Sequence, residues 1–412
     1  MFDNSCAMFS KTLLSTLLLA LAVAANPIVT PREPYAKLQL SRQLNTTGVY
    51  NVLQHDQARA AHLAAKASAK QTRAIYNEPV TNEVVTYMAN VGVGTPPTYY
   101  SLIVDTGSSN TWVGATKAYV KTSSSVATGD TVAVTYGSGS FSGNEYYDTV
   151  TIGSLVIPNQ SIGVATTSTG FAGTDGIIGI GPVDLTVGTL SPDTNTPIPT
   201  VTDNAYAQGS LTADQIGISF EPTTSTSVQN GELTWGGVDS TKYTGSITYT
   251  PVTTTFPASY YWGINESITY GTTTVLASTA GIVDTGTTLI LIASNAFSTY
   301  KSLTGGVLDA NTGLLKITAS QYSALKPLNF NINGVTFPLT ANGQIWPRSL
   351  NTAIGGTATS IYLVVASIGA PSGQGLDFID GYTFLERYYS VFDTANKRVG
   401  FATTSFTTAT TN

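Results

Sequence analysis

Short runs in which apolar and polar residues alternate cover most of the chain after its first 73 residues, and Gly, Pro, Ser and Thr separate these runs. Residues 81–107, TNEVVTYMANVGVGTPPTYYSLIVDTG, show this period of two, which is typical of half-buried β-strands. Residues 130–153, DTVAVTYGSGSFSGNEYYDTVTIG, predict a hairpin with YGSG at its tip. Helical patterns are short, at 199–209 and at 294–306, where Ser294 is the expected cap. The pattern therefore predicts an all-β protein with a few short helices.

The start of the chain has a different character. The apolar run TLLSTLLLALAVAA at 12–25 has the length of a secretory leader and is shorter than the roughly 20 residues needed to cross a bilayer. We therefore expect a signal peptide at 1–25, with translation starting at Met1 or Met8. The product is expected to be secreted and extracellular, without a membrane anchor.

Residues 26–73 are basic, with seven Lys and Arg against two acidic residues, and their Ala-rich part predicts a helix. We interpret His55 and His62 as solvated residues of this helix. Residues 74–412 instead hold 21 acidic and ten basic side chains. Because opposite charges attract, we expect residues 26–73 to form a propeptide that covers the acidic remainder.

Composition excludes several kinds of chemistry. Cys6, the only cysteine, lies in the predicted leader, and both histidines precede residue 74. A product that starts there has no Ser-His-Asp triad, no Cys-His pair and no zinc bound by histidine. Its negative charge argues against a nucleic-acid partner. We expect no metal and no cofactor, so carboxylates, hydroxyls and backbone groups must supply the chemistry.

The string IVDTG occurs twice, at 103–107 and at 282–286, each time after apolar residues. Two copies in matching contexts predict a duplicated unit. A weaker echo is DGIIGIGP at 175–182, which returns as FIDGYTFL at 378–385.

Two such loops placed face to face would bring Asp105 and Asp284 within hydrogen-bond distance. The carboxylates could not both ionise easily, so they would share one proton. The ionised group could take a proton from a water molecule while its partner donates to a carbonyl oxygen. Such a pair suits amide hydrolysis at acid pH without histidine, metal or covalent intermediate.

These motifs resemble those of the pepsin-like aspartic endopeptidases of eukaryotes, above all the disulfide-free secreted enzymes of basidiomycete fungi. The likeness covers nearly everything after residue 74, including the segment FIDGYTFLERYYSVFDTANKRVGFA at 378–402. It implies a bilobal double-ψ β-barrel fold, with lobes at 74–239 and 240–412 and the active-site cleft between them. It also implies a secreted acid endopeptidase that cuts between apolar side chains, is made as a self-activating zymogen and works as a monomer.

The resemblance also implies roles for individual residues. Asp105 and Asp284 would be the catalytic pair. Their supports would be Thr106 and Thr285, which lock the loops, Ser108 and Thr287, which bond the outer carboxylate oxygens, and Trp112, near the hydroxyl of Tyr136. Substrate would contact Gly107, Gly286 and Thr287 from the loops and Tyr136, Gly137 and Ser138 from the flap hairpin. Ser138 replaces the flap aspartate of some relatives, which implies weak cleavage after Lys. Asn159 and Asn265 are candidate glycosylation sites.

The expected partners are protein and peptide substrates, pepstatin-type inhibitors and the propeptide itself. Lys66 or Lys70 would reach the catalytic pair at neutral pH, and acid would weaken these contacts and allow self-cleavage near 73–77. Two alternatives remain. One is a non-catalytic pepsin-fold binding or inhibitor protein, which would be expected to have lost one of the motifs. The other is a glycosidase that uses two carboxylates.

Overall fold

The computed structural model describes residues 35–44, 51–72, 85–137 and 139–411, without the side chains of residues 68–72 and 85. The predicted signal peptide at 1–25, the cleavage region at 73–77, Ser138 and the side chain of Lys70 lie outside the described residues.

Strands dominate the described residues, as the alternating pattern predicts. Their bounds are β1 (Ala36–Leu44), β2 (Val85–Val93), β3 (Thr98–Asp105), β4 (Trp112–Val113), β5 (Val126–Thr135), β6 (Ser140–Ile152), β7 (Leu155–Thr169), β8 (Gly176–Gly179), β9 (Leu190–Ser191), β10 (Gln215–Ser219), β11 (Ser227–Trp235), β12 (Thr244–Pro251), β13 (Gly263–Tyr270), β14 (Thr273–Val283), β15 (Ile290–Ile292), β16 (Val307–Leu308), β17 (Leu315–Ile317), β18 (Leu328–Ile332), β19 (Val335–Leu339), β20 (Ile361–Tyr362), β21 (Val365–Ser367), β22 (Phe378–Asp380), β23 (Tyr388–Asp393) and β24 (Arg398–Thr403).

The helices are α1 (Val52–Thr72), α2 (Val201–Ala207), α3 (Ser294–Thr304), α4 (Ala319–Ser323) and α5 (Tyr382–Leu385), with 3-10 turns at Val183–Thr186, Ala258–Tyr260 and Arg348–Ile354. The predicted propeptide helix and the two predicted short helices are therefore confirmed. The cap assigned to Ser294 is wrong, because Ser294 is the first helical residue and Ala293 precedes it without a side-chain cap. Among the described ranges, no helix is long and apolar enough to cross a membrane.

The strands form three sheets. The largest has the order β12-β24-β23-β10-β11-β1-β2-β3-β8-β4-β7-β6-β5-β9, the second β19-β18-β13-β14-β22-β15-β21, and the third β16-β17-β20. The predicted lobe boundary at residue 240 falls between β11 and β12. Because β10 pairs with β23, the first and second halves of the chain share the largest sheet.

The duplication predicted from the repeated IVDTG string appears in the strand pairing. β3 ends in Asp105 and runs parallel to β8, which is antiparallel to β4. In the second half, β14 ends just before Asp284 and runs parallel to β22, which is antiparallel to β15. The weaker sequence echo marks β8 and β22, so both echoes belong to one repeated strand arrangement.

Apolar residues fix the positions of both aspartates. Leu102, Ile103 and Val104 precede Asp105, Ile282 and Val283 precede Asp284, and all five are at most 2% exposed. Each fully buried aliphatic side chain contributes roughly 1.5–3 kcal/mol to folding. The end of each strand is thus anchored in the core, which leaves little freedom to the loop that follows.

The segment predicted to be a propeptide contains a strand, β1, that the sequence analysis did not predict. β1 lies between β11 and β2 and is antiparallel to both. Leu40 of β1 is fully buried, and the buried guanidinium of Arg42 forms an ion pair of 2.9 Å with Glu386. Residues 36–44 are therefore an integral part of the largest sheet.

Candidate active site

The two DTG loops hold their aspartates in the same way. The outer oxygen of Asp105 accepts a hydrogen bond of 2.6 Å from the hydroxyl of Ser108, and its inner oxygen accepts one of 2.9 Å from the Gly107 N–H. Asp284 accepts the matching bonds from the Thr287 hydroxyl at 2.6 Å and the Gly286 N–H at 3.0 Å. Both carboxylates are buried, and each is fixed through both of its oxygens.

Thr106 and Thr285 join the loops through four hydrogen bonds related by the duplication. Each hydroxyl accepts from the other threonine's N–H, at 3.0 and 2.9 Å. The Thr106 hydroxyl donates to the carbonyl of Val283 at 3.1 Å, and the Thr285 hydroxyl donates to that of Val104 at 2.9 Å. Each half of the chain therefore fixes the backbone on which the other half's aspartate is mounted.

The glycines of the two loops allow the carboxylates to approach each other. A Cβ atom at Gly107 would lie 2.6 Å from the inner oxygen of Asp284, and one at Gly286 would lie 2.7 Å from the inner oxygen of Asp105. Real Cβ atoms do not tolerate such distances. Only glycine at these two positions leaves room for the two carboxylates to face each other.

Arg59 of α1 lies between the two carboxylates. Its Nη2 atom donates to the inner oxygens of Asp105 and Asp284 at 2.6 and 2.8 Å, and its Nε atom donates to the outer oxygen of Asp284 at 2.6 Å. The side chain is 2% exposed. Arg59 therefore occupies the place that the sequence analysis expected Lys66 or Lys70 to reach, and the side chain of Lys70 lies outside the described residues.

Arg59 changes the acidity of the site. Burial alone would raise the pKa of Asp284, but the charge of Arg59 and the hydrogen bonds from Arg59, Thr287 and Gly286 together lower it. With Arg59 in place, Asp284 is held as an anion and cannot share a proton with its neighbour in the way that acid–base catalysis requires.

A second propeptide contact fixes the same region. The buried carboxylate of Asp56 accepts hydrogen bonds from the N–H groups of Thr288 and Leu289, at 3.3 and 2.7 Å, and bonds His55 at 2.9 Å. His55 is 3% exposed, so its interpretation as a solvated residue is wrong. His62 is half-buried, and burial, followed by the charges of Lys66 and Arg59, lowers its pKa to about 3.

The flap hairpin predicted at 130–153 is formed by β5 and β6, with Tyr136 and Gly137 at its tip. The ring centroids of Tyr136 and Trp112 are 6.5 Å apart, and Phe141 stacks on Trp112 at 4.2 Å. The indole N–H of Trp112 has no hydrogen-bond partner among the described residues, so it does not bond the Tyr136 hydroxyl here. A Cβ atom at Gly137 would collide with the backbone of Arg59, so the flap lies directly on the propeptide helix.

The remaining predicted residues lie away from this centre or outside the described chain. Asn159 and Asn265 are exposed, and Asn265 accepts a hydrogen bond of 3.0 Å from Thr253. The predicted role of Ser138 falls on a residue outside the described ranges.

Comparisons with known proteins agree with this geometry. Residues 86–404 match the family model for eukaryotic aspartyl proteases. Polyporopepsin from Irpex lacteus is 68% identical over 335 residues, which cover 81% of this chain and 98% of that protein. Gastricsin from Homo sapiens is 34% identical over 347 residues, covering 79% and 83% of the two chains. The crystal structure of the Irpex lacteus aspartic proteinase matches with a TM-score of 0.80 and 60% identity, over 92% of this chain and 100% of that one.

These similarities confirm the predicted bilobal, mostly β pepsin-like fold and exclude the glycosidase alternative. They also favour an enzyme over a non-catalytic relative, because the DTG loops and the flap tyrosine are all present. This chain belongs to the eukaryotic aspartyl protease family and is a pepsin-like aspartic endopeptidase.

Proposed function

We propose that this chain is the zymogen of a secreted acid endopeptidase in which Asp105 and Asp284 activate a water molecule. The proposal rests on the two duplicated DTG loops, which present both carboxylates to the guanidinium group of Arg59. Such an arrangement concentrates two anions in a buried site, which is unstable unless a cation or a proton is shared between them.

The catalytic step follows from removal of Arg59. Without the guanidinium, two carboxylates in contact retain one proton between them. The ionised carboxylate takes a proton from water, and the resulting hydroxide attacks the peptide carbonyl while the protonated carboxyl donates to the carbonyl oxygen. The tetrahedral intermediate collapses when the leaving nitrogen is protonated, and the shared proton is restored. The bonds from Ser108, Thr287 and the loop N–H groups keep both carboxylates oriented throughout.

The substrate is an extended peptide that lies between the two DTG loops and the flap. Gly107, Gly286 and Thr287 would contact it from below, and Tyr136, Gly137 and Ser138 from above, in strand-like fashion. The apolar cluster of Trp112 and its aromatic neighbours supports a preference for apolar side chains next to the cleaved bond. Since Ser138 offers no carboxylate, the enzyme should cleave weakly after Lys and activate trypsinogen poorly.

The propeptide inhibits by occupying this cleft. Arg59 neutralises the carboxylates, Asp56 occupies backbone donors of the second loop, and the flap covers α1. The match to polyporopepsin covers 98% of that protein but 81% of this chain, which leaves room for a leader and propeptide at 1–73. As pH falls far enough, Asp284 binds a proton, its hold on Arg59 weakens, and cleavage near 73–77 follows.

Secretion, monomeric state and glycosylation at Asn159 and Asn265 complete the proposal. The apolar run at 12–25 supports export, and the exposure of both asparagines makes them accessible to the glycosylation machinery. Sequencing of the mature N-terminus and mass spectrometry before and after deglycosylation test these points.

The decisive experiment compares the acid-treated wild type with Asp105→Asn and Asp284→Asn. The wild type should hydrolyse denatured haemoglobin at about pH 3–5, and pepstatin should block it. Each variant should lose roughly 10³-fold or more of kcat, because it removes one half of the acid–base pair. Asp184→Asn, the same change at an exposed position, is the matched control and should retain full activity. Equal activity in all four proteins would contradict the assignment of the pair.

A further inference from the structure

Two buried carboxyl groups face each other in the second half of the chain, outside the active site. Glu266 lies in β13 and Asp380 at the end of β22, and they are 1% and 0% exposed. Their side chains are in hydrogen-bonding contact with each other. Among the described residues, no other donor reaches any of their four oxygen atoms.

On the described strands next to this pair, no basic side chain compensates it. The adjacent strands β14, β15 and β18 carry only apolar, Ser, Thr, Asn and Gly side chains. The ionisable groups that come near along the chain are Tyr270, Asp284 and Asp377, and Asp377 already accepts a hydrogen bond of 2.6 Å from Thr279. An isolated buried carboxylate is strongly unfavourable, so the contact between Glu266 and Asp380 requires at least one proton held between them.

Asp380 also supports the second DTG loop directly. The N–H of Asp284 donates to the carbonyl of Asp380 at 3.1 Å. Strand β22 lies between β14, which precedes the loop, and β15, which follows it. Asp380 is paired with Val283 of β14 on one side and with Ile290 of β15 on the other. Any displacement of Asp380 therefore moves both arms of the loop that carries Asp284.

We propose that the Glu266–Asp380 pair is a positioning element that holds the Asp284 loop in place while the pair is protonated, and that ionisation of the pair inactivates the enzyme. The proposal rests on the catalytic role proposed above for Asp284. When the pair loses its protons to solvent, its hydrogen bond is lost, and two anions without a donor face each other behind the loop.

The direction of the pH dependence follows from the environment. Burial raises the pKa of both carboxyl groups above the usual range. Because the neutral form is favoured in the folded protein, the pair costs nothing below the pKa of an unfolded carboxyl, which is about 4. As pH rises above that value, the unfolded state ionises first and the folded state loses stability progressively. The fold is thus suited to acid and is weakened at neutrality.

The test uses Glu266→Gln and Asp380→Asn in the full-length chain, activated by acid. Each amide keeps the shape of the carboxyl and can donate to the remaining partner. The proteins are held at a series of pH values from about 4 to 9. Unfolding is followed by tryptophan fluorescence, and the integrity of the site by activity recovered on return to acid. The pH midpoint of unfolding and the pH midpoint of activity loss should both rise by about one pH unit or more in each variant, because one of the two interacting acids is gone.

Glu145→Gln is the matched control. Glu145 is a buried carboxyl of β6 in the first half, and burial raises its pKa to about 7. Its replacement should shift the pH midpoint of unfolding. The pH at which pepstatin binding is lost before unfolding, which reports on the Asp284 loop, should not change. Glu266→Gln should shift both readouts. If only unfolding shifts, the positioning role is overturned, and if neither shifts, the pair has no role in pH sensitivity.

Two further measurements keep the proposal testable if a variant does not fold. If Asp380→Asn does not fold, Glu266→Gln alone decides, and if neither accumulates, infrared spectra of Glu145→Gln at about pH 6 must still contain the carbonyl band of a protonated carboxyl. Absence of any such band overturns the proposal. The unfolding readout does not require activity, so a failure of the proposed peptidase function would be recognised separately, as a protein with the expected pH-dependent unfolding but no hydrolysis.

Discussion

Replacement of Arg59 by Met tests the link between the propeptide and the catalytic pair most directly. The change removes the positive charge and three short hydrogen bonds but retains a long apolar stem in the buried channel. Breaking a buried ion pair by removing one partner costs about 3–5 kcal/mol, because the other charge is left uncompensated. At neutral pH, α1 of Arg59→Met should therefore leave the cleft roughly 10²–10⁴ times more often than that of the wild type.

The effect should depend on pH with a defined sign. The pKa of Asp284 is lowered in the zymogen, so the stabilisation by Arg59 is present above the pKa of an unfolded aspartate, about 3.9, and is lost as pH falls through the folded value. Wild type and variant should consequently differ at pH 7 and converge at about pH 2–3.

Capture of the uncleaved zymogen by immobilised pepstatin measures how often the cleft opens. Lys66→Met is the matched control, because it removes one positive charge from the same helix. It should change capture less than about tenfold. Capture of Arg59→Met at neutral pH that does not exceed that of Lys66→Met would refute the reasoning.

Three further predictions concern the loops and the pH response. Thr106→Val removes the hydroxyl that accepts from the Thr285 N–H, so urea unfolding should show a loss of about 2–3 kcal/mol, whereas Thr106→Ser should lose less than about 1 kcal/mol. Gly286→Ala places a Cβ atom against the inner oxygen of Asp105, so kcat/KM of the activated enzyme should fall by roughly 10²-fold with little change in the circular dichroism spectrum. Burial raises the pKa of Glu145 to about 7, so ionisation of this group should cost the wild type up to about 3 kcal/mol of unfolding free energy between pH 4 and 8. Glu145→Gln should not show this part of the decrease when urea unfolding is measured at both pH values.

The site was predictable where its chemistry is local in sequence. In each DTG loop the aspartate, the glycine and the hydroxyl residue lie within four positions, and duplication of the loop indicated that two copies meet. The threonine hydrogen bonds between the halves follow from the same symmetry. The flap followed from a hairpin pattern with glycines at its tip.

Contacts between distant segments were not predictable in the same way. The charge of the propeptide indicated that it covers an acidic surface, but Arg59 was not distinguished from Lys66 and Lys70, because which helix position meets the cleft depends on how α1 docks. Small neighbours around Arg59, which let the helix approach closely, were the available signal. The contact between Glu266 and Asp380 joins strands far apart in sequence, and no local pattern marks it.

The missed strand β1 had a readable signal in AKLQLSRQL, whose alternation has the period of a strand. A segment that complements the edge of a sheet needs only a short alternating run, and the identity of its partners is set by the rest of the fold.

The position of β1 has a consequence for how the enzyme matures. Cutting the chain near 73–77 severs one peptide bond but leaves nine residues hydrogen-bonded in the middle of the largest sheet. Their departure would leave the facing edges of β11 and β2 without partners, a state that invites pairing with any available strand. Release of β1 after such a cut therefore requires breaking its hydrogen bonds to both neighbouring strands, so the cut alone would not complete the proposed maturation.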